Sequence, residues 1–175
     1  MAISGFYWLI EGMLAGCSRP GVSSGRGGAP GENAHAMRGP QTSLALDDDL
    51  IWLRERGIGA VLSLTETPLE AGALERHGLV GLHIPVDDLT APAPEQLDRA
   101  LTFIDQQMRE GRAVVVHCLM GQGRTGTVLA AYLIRAGRGV PDALTELRTC
   151  CPGAVGMPEQ ERALHAFARR RDWII

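Results

Sequence analysis

The sequence contains no lysine; all seventeen of its basic residues are arginine. That absence removes two chemistries at once. A phosphate-binding loop of the Gly-Lys-Ser/Thr type needs its lysine, and a Schiff-base mechanism needs an amine. A positive excess is also lacking, since the net charge is −3. Neither nucleic acid nor an anionic membrane surface is therefore an expected partner. No apolar run approaches the ~20 residues that span a bilayer. Cysteines are few: Cys17, Cys118 and the adjacent pair Cys150 and Cys151. Their spacing is that of neither a zinc site nor a secreted disulfide framework, which makes reduced thiols in the cytoplasm the default. His35, His77, His83 and His165 show no metal spacing, so no metal and no cofactor are expected.

What is present is an ordinary globular composition, 45% apolar and 21% charged over 175 residues, which fits one domain with a buried core. "LAGC" at Leu14–Cys17 resembles a bacterial lipoprotein cleavage site. Glu11 and Gly12 interrupt the run before it, and the first basic residue is Arg19, so a plain strand is the expectation.

Residues 6–16 read as two short strands around a turn at Glu11-Gly12. Residues 18–40, rich in Gly, Pro and Ser, read as a long loop. A helix is expected from Ser43 to Arg56, with Leu46, Leu50 and Leu53 on one face and Gly57 ending it. "AVLSL" (60–64) and "LVGLHI" (79–84) read as strands, with a short helix from Pro68 to His77 between them. "DDLTAPAPEQL" is a loop running into a helix with Pro94 in its first turn. That helix lasts to about Glu110 and turns Leu97, Leu101, Ile104 and Met108 inward. Then come a strand at Ala113–His117, a glycine loop and a helix stopped at Gly137. Helices at Val140–Cys150 and Pro158–Asp172 close the chain. Strands alternating with helices give the fold class: α/β, a central, mainly parallel sheet flanked by helices.

The glycine loop carries the chemistry. Between Cys118 and Arg124 lie Leu119, Met120, Gly121, Gln122 and Gly123. Gly121 and Gly123 can take backbone angles that turn successive N–H groups inward. With the start of the following helix they make a cradle for a tetrahedral oxyanion. The same positive field favours the thiolate of a cysteine at the loop's origin. Arg124 can present a fork of donors to two oxygens at once. A nucleophile, a cradle and a clamp together describe phosphoryl transfer through cysteine.

"HCLMGQGRTGT" resembles the active-site loop of the protein tyrosine phosphatase superfamily, His-Cys-x5-Arg-Ser/Thr. "IPVDDLTAPAPEQ" upstream is similar to the dual-specificity branch, and "FYWLIEGMLAG" with "AVLSLTE" to its small atypical, VH1-like members. The resemblance implies a dual-specificity phosphatase fold and a phosphorylated protein or peptide as substrate. Residue by residue, it makes Cys118 the nucleophile and Arg124 the phosphate clamp. The loop residues Leu119, Met120, Gly121, Gln122 and Gly123 bind substrate with it. His117 orders the loop and supports the thiolate. Thr125 donates to the leaving thiolate, or else merely starts the helix. A general acid is required, and the family pattern places it at Asp88 rather than Asp87; counting back from Pro92 agrees. Gln160 resembles a glutamine near the active site in related branches, yet as a helix residue it can equally face solvent.

Other readings compete. A phosphoinositide phosphatase calls for extra basic residues in the loop, and Leu119, Met120 and Gln122 supply none. An RNA 5′-phosphatase gains nothing from the net charge. The Arg-Thr-Gly run and the upstream aspartates argue against a rhodanese-type sulfurtransferase. A phosphoprotein-binding module without turnover would normally lack the cysteine, arginine or acid, and all three are present.

Overall fold

A computed structural model describes residues 3–22 and 43–171. The greater part of the glycine-rich stretch, 23–40, lies outside the described residues, as does Asp172, the expected end of the last helix. Five strands form one sheet in the order β1-β2-β5-β3-β4. The strands are β1 (Tyr7–Ile10), β2 (Leu14–Cys17), β3 (Ile58–Ser63), β4 (Val80–His83) and β5 (Ala113–His117). β1 runs antiparallel to β2 through the tight turn expected at Glu11-Gly12, and the other three pairings are parallel. "LAGC" is strand β2, with Cys17 fully buried.

Alternation along β5 divides the core in two. Val114 and Val116 point toward the helices α3 (Pro94–Arg109), α4 (Gly123–Arg135), α5 (Val140–Cys150) and α6 (Pro158–Arg171). Ala113 and Val115 point to the other face, where α1 (Ser43–Glu55) packs Leu46, Leu50 and Leu53 with the short α2 (Ala73–Arg76). Both faces of a parallel sheet must be covered, and the apolar stripes of these helices cover them. Among the described residues no helix is long and apolar enough to cross a membrane.

One expectation needs correction. The helix placed at Pro68–His77 is only four residues long, Ala73–Arg76, because Gly72 takes φ +75° immediately before it. On α3, Met108 is half-buried and packs against the core with Leu97, Leu101 and Ile104, and the polar Gln107 is buried as well. Its Oε1 accepts from Arg112 at 3.0 Å, which satisfies the buried amide. α3 itself starts as its sequence suggests. Pro94 occupies the first turn, and Gln96 Oε1 accepts the N–H of Ala93 at 2.8 Å while its Nε2 donates to the Pro85 carbonyl at 2.7 Å. That pair of bonds ties the residues flanking the acidic loop 87–92 to the first turn of α3.

Candidate active site

β5 ends at His117, in the middle of the sheet, so Cys118 leaves the sheet at its carboxyl edge. This is where open α/β sheets bind ligands. Residues 118–122 form the loop and α4 begins at Gly123. No side chain caps that helix, which leaves its positive end facing the loop.

The two glycines of the loop serve different needs. Gly121 has φ +74°, and a Cβ there would lie 2.5 Å from the backbone of Cys17. Gly123 does not have a positive φ. It is the first residue of α4, and its constraint is space, since a Cβ would meet the Gln160 amide at 2.8 Å.

A cavity of about 200 Å³ opens at this edge. Its walls include Cys118, Arg124 and Asp88, together with Met120, Gln122, Gly123 and Gln160. Leu119 and Gly121 are not part of the lining. Their carbonyls turn away and accept from the Arg19 N–H at 3.1 Å and the Tyr7 hydroxyl at 2.8 Å, respectively.

Arg124 is 2% exposed and donates three hydrogen bonds. Nη1 donates to the Val86 carbonyl at 2.7 Å and to Glu66 Oε2 at 3.0 Å, and Nη2 donates to Asp88 Oδ1 at 2.8 Å. Glu66 Oε1 also accepts the N–H of Asp88 at 3.0 Å, so one carboxylate holds both the guanidinium and the acid loop. Partial burial works against the ionised form of Glu66. Hydrogen bonds from its own N–H, from Arg124 and from Asp88 prevail and hold its carboxyl below the usual range. Of the two aspartates, Asp88 lines the cavity. Asp87 does not: its carbonyl accepts from Thr90 N and Oγ1 and so shapes the turn.

His117 is fully buried. Its Nδ1 lies 3.3 Å from the Cys118 carbonyl and its Nε2 2.7 Å from Ser63 Oγ. A carbonyl can only accept, so Nδ1 carries the proton and the Ser63 hydroxyl donates to Nε2. Burial above all pushes the pKa of His117 down to about 3. The bond to the Cys118 carbonyl opposes this, and the positive charges of Arg19 and Arg124 add to the fall. The ring is therefore neutral, and it is tied to the Cys118 backbone and to Ser63 by hydrogen bonds.

Thr125 sits inside α4 and caps nothing, against the simple helix-start reading. Its Oγ1 is the one buried side-chain polar atom among the described residues with no hydrogen-bond partner. A buried unpaired hydroxyl is costly, so this one stands out in the site.

Gln160 is 1% exposed, which overturns the solvent-facing alternative. Its Nε2 donates to the Thr90 carbonyl at 3.1 Å and so joins α6 to the acid loop. Sequence reasoning passed over Glu66 and Tyr7. For Glu66 the available signal was an acid two residues beyond a buried strand, in "LSLTE". β3 lies beside β5 in parallel, with Ser63 opposite His117, so the two strands end at the same edge.

A strand-end cysteine loop that opens a helix with Arg124 in its first turn fits the class of cysteine-based phosphatases, and the chain is similar to known members of it. The crystal structure of Tk-PTP in the active form superposes with a TM-score of 0.74 at 30% identity, over 95% of this chain and 97% of that one. Dual specificity protein phosphatase 12 of Rattus norvegicus is 38% identical over 85 residues, 48% of this chain and 25% of its own length. Phosphatidylglycerophosphate phosphatase PTPMT2 of Arabidopsis thaliana is 30% identical over 126 residues, 69% of this chain and 55% of its own length. The chain thus spans about a quarter and about half of these two relatives. The family model described as "Polymorphic toxin system, DSP-PTPase phosphatase" matches residues 35–138. The chain belongs to this family of dual-specificity phosphatases, in the cysteine-based protein tyrosine phosphatase superfamily.

Proposed function

We propose that the chain acts as one catalytic domain that dephosphorylates phosphotyrosine, and also phosphoserine and phosphothreonine, in proteins through a phosphocysteine intermediate. The observation that carries this reading is that Cys118, Arg124 and Asp88, from two separate segments, line one small cavity.

The Cys118 thiolate attacks phosphorus in line with the leaving oxygen. Arg124 turns its fork onto two phosphoryl oxygens, and the backbone N–H groups of the loop and α4 take up the remaining charge. Asp88 protonates the departing oxygen as the P–O bond breaks. Its carboxylate then accepts a proton from the water that attacks the phosphocysteine, and Thr125 Oγ1 donates to the thiolate as the S–P bond breaks. His117, neutral and fixed by Ser63, holds the cysteine's backbone in register. These residues supply every proton and charge the reaction asks for, so we assign no metal and no cofactor to it.

The test is turnover of a small aryl phosphate by the purified chain, with and without a chelator, beside Cys118→Ser. We expect hydrolysis indifferent to chelation, inhibited by vanadate and abolished in the variant. Activity that survives Cys118→Ser would overturn the covalent mechanism.

A lipid phosphomonoester is the second reading, favoured by the Arabidopsis relative, whose name gives phosphatidylglycerophosphate as its substrate. The uncharged Leu119, Met120 and Gln122 weigh against a polyphosphorylated headgroup.

A further inference from the structure

The mouth of the cavity is apolar. Six large apolar side chains stand out as exposed among the described residues, and three of them, Leu89, Met120 and Met157, lie on its lining. They come from three separate segments: the acid loop, the phosphate loop and the connection between α5 and α6. Arg124 is the only cationic residue in that lining.

Leu89 is the most telling of the three. Only two non-glycine residues among those described have positive φ, Leu89 at 63° and Val155 at 56°. A side chain with a Cβ is disfavoured there. Val155 is buried in the core, whereas Leu89 is 61% exposed. The backbone conformation has its own explanation, because the Leu89 N–H donates to Asp88 Oδ1 at 3.0 Å. That bond requires no leucine; glycine or asparagine would take the same angles at lower cost. The exposed leucyl group remains to be explained by what it meets in use.

Because the phosphate is fixed at the floor of the cavity, the mouth meets the atoms next to the ester oxygen. In an aryl phosphate these are ring carbons. In a phosphoserine peptide they are one methylene and polar backbone, and in a phosphorylated glycerol headgroup they are a methylene and the oxygen-bearing carbons of the glycerol, with the acyl chains further out. Methionine sulfurs and a leucine suit a ring face and edge. Resting on the phosphatase reading above, we propose that Leu89, Met120 and Met157 form a collar that grips the ring of an aryl phosphate. The collar makes the site select phosphotyrosine over alkyl phosphoesters by apolar contact rather than by charge.

The experiment measures kcat and KM for a phosphotyrosine peptide, and for the same peptide carrying phosphoserine. The proteins are the unmodified chain, Leu89→Ser and the double variant Met120→Ser/Met157→Ser, each checked for an unchanged melting transition. The double variant leaves Leu89, the chain neighbour of Asp88, untouched and so separates binding from proton transfer. For the phosphotyrosine peptide we expect KM to rise about tenfold with kcat nearly held, the value of part of a buried apolar side chain. For the phosphoserine peptide KM should change far less. Equal effects on both peptides, or none on either, overturn the collar and leave the phosphatase reading standing. No turnover of either peptide overturns both. A strong preference for vesicles bearing a monophosphorylated glycerol headgroup, lost in the same variants, assigns the collar to a lipid surface and overturns its reading as a ring clamp.

Discussion

Arg124 and Asp88 hold one another across the cavity, with Nη2 2.8 Å from Oδ1, and Glu66 takes the other arm of the same guanidinium at 3.0 Å. A phosphate that approaches through both Nη atoms must therefore displace a carboxylate. In the proposed reaction that exchange detaches Asp88 from Arg124 as the substrate arrives, when its proton is needed.

The two neighbouring aspartates should separate by leaving group. Asp88→Asn should lower kcat by about 10²-fold for phenols that leave poorly and nearly spare those that leave easily, the signature of a lost general acid. Asp87→Asn should show a small loss independent of the phenol. Turnover of a series of aryl phosphates of graded phenol acidity measures this, and a steep dependence in Asp87→Asn instead would reverse the assignment.

Arg124→Lys keeps the charge but should not keep the activity. An ammonium cannot reach Val86, Glu66 and Asp88 together, nor present two parallel donors to a phosphoryl group. Losing two charge-assisted bonds at roughly 1.5–3 kcal/mol each lowers kcat/KM by about two orders of magnitude or more. Near-normal turnover in this variant would show that the guanidinium only braces the acid loop.

His117 should make the fold sensitive to mild acid. Its pKa is about 3 in the folded chain against 6.5 as a free side chain, so the unfolded chain binds the extra proton as pH falls. Its contribution is complete above pH 6.5 and is lost progressively below it, by up to about 1.4 kcal/mol per pH unit, until the folded pKa is reached. Asp49, whose carboxyl is raised by burial, runs the other way, but in the carboxylate range. Urea unfolding between pH 7 and 5 should thus show a slope that His117→Asn removes; an equal slope in that variant would assign it to other groups.

Peroxide should inactivate the protein reversibly, and the sheet indicates which thiol closes the disulfide. Cys17 interacts electrostatically with Cys118 but packs with Ala15 and Val115 on the α1 face. Cys151 also feels the charge of Cys118 and shares its core on the opposite face. Peptide mapping after oxidation should find Cys118 joined to Cys151. Cys151→Ser should make inactivation harder to reverse by thiol, and Cys17→Ser should leave recovery unchanged. A bridge from Cys118 to Cys17 would refute the face argument.

Much of this was legible in the sequence, for a physical reason that also sets the limit. Period-2 and period-3.6 patterns gave β5, α1 and α5 their bounds, and one contiguous run carried Cys118 and Arg124. The helix at Ala73–Arg76 was drawn too long because Gly72 breaks a pattern that its neighbours continue. Glu66 and Gln160 escaped or stayed ambiguous because their importance depends on which strands and helices lie side by side. That adjacency belongs to the tertiary fold, not to any local run of residues.

The hydroxyl of Tyr7 donates to the carbonyl of Gly121 at 2.8 Å across 114 positions of chain, and the Tyr7 ring fills the space that a side chain at position 16 would need. The loop after Cys118 is thus buttressed from the amino-terminal hairpin. A fragment confined to residues 35–138, the span of the family match, would keep Cys118, Arg124 and Asp88 yet lose Tyr7 and Gln160. Such a fragment would carry an intact motif on an unsupported loop, so possession of the signature by a shortened chain is no guarantee that it turns over substrate.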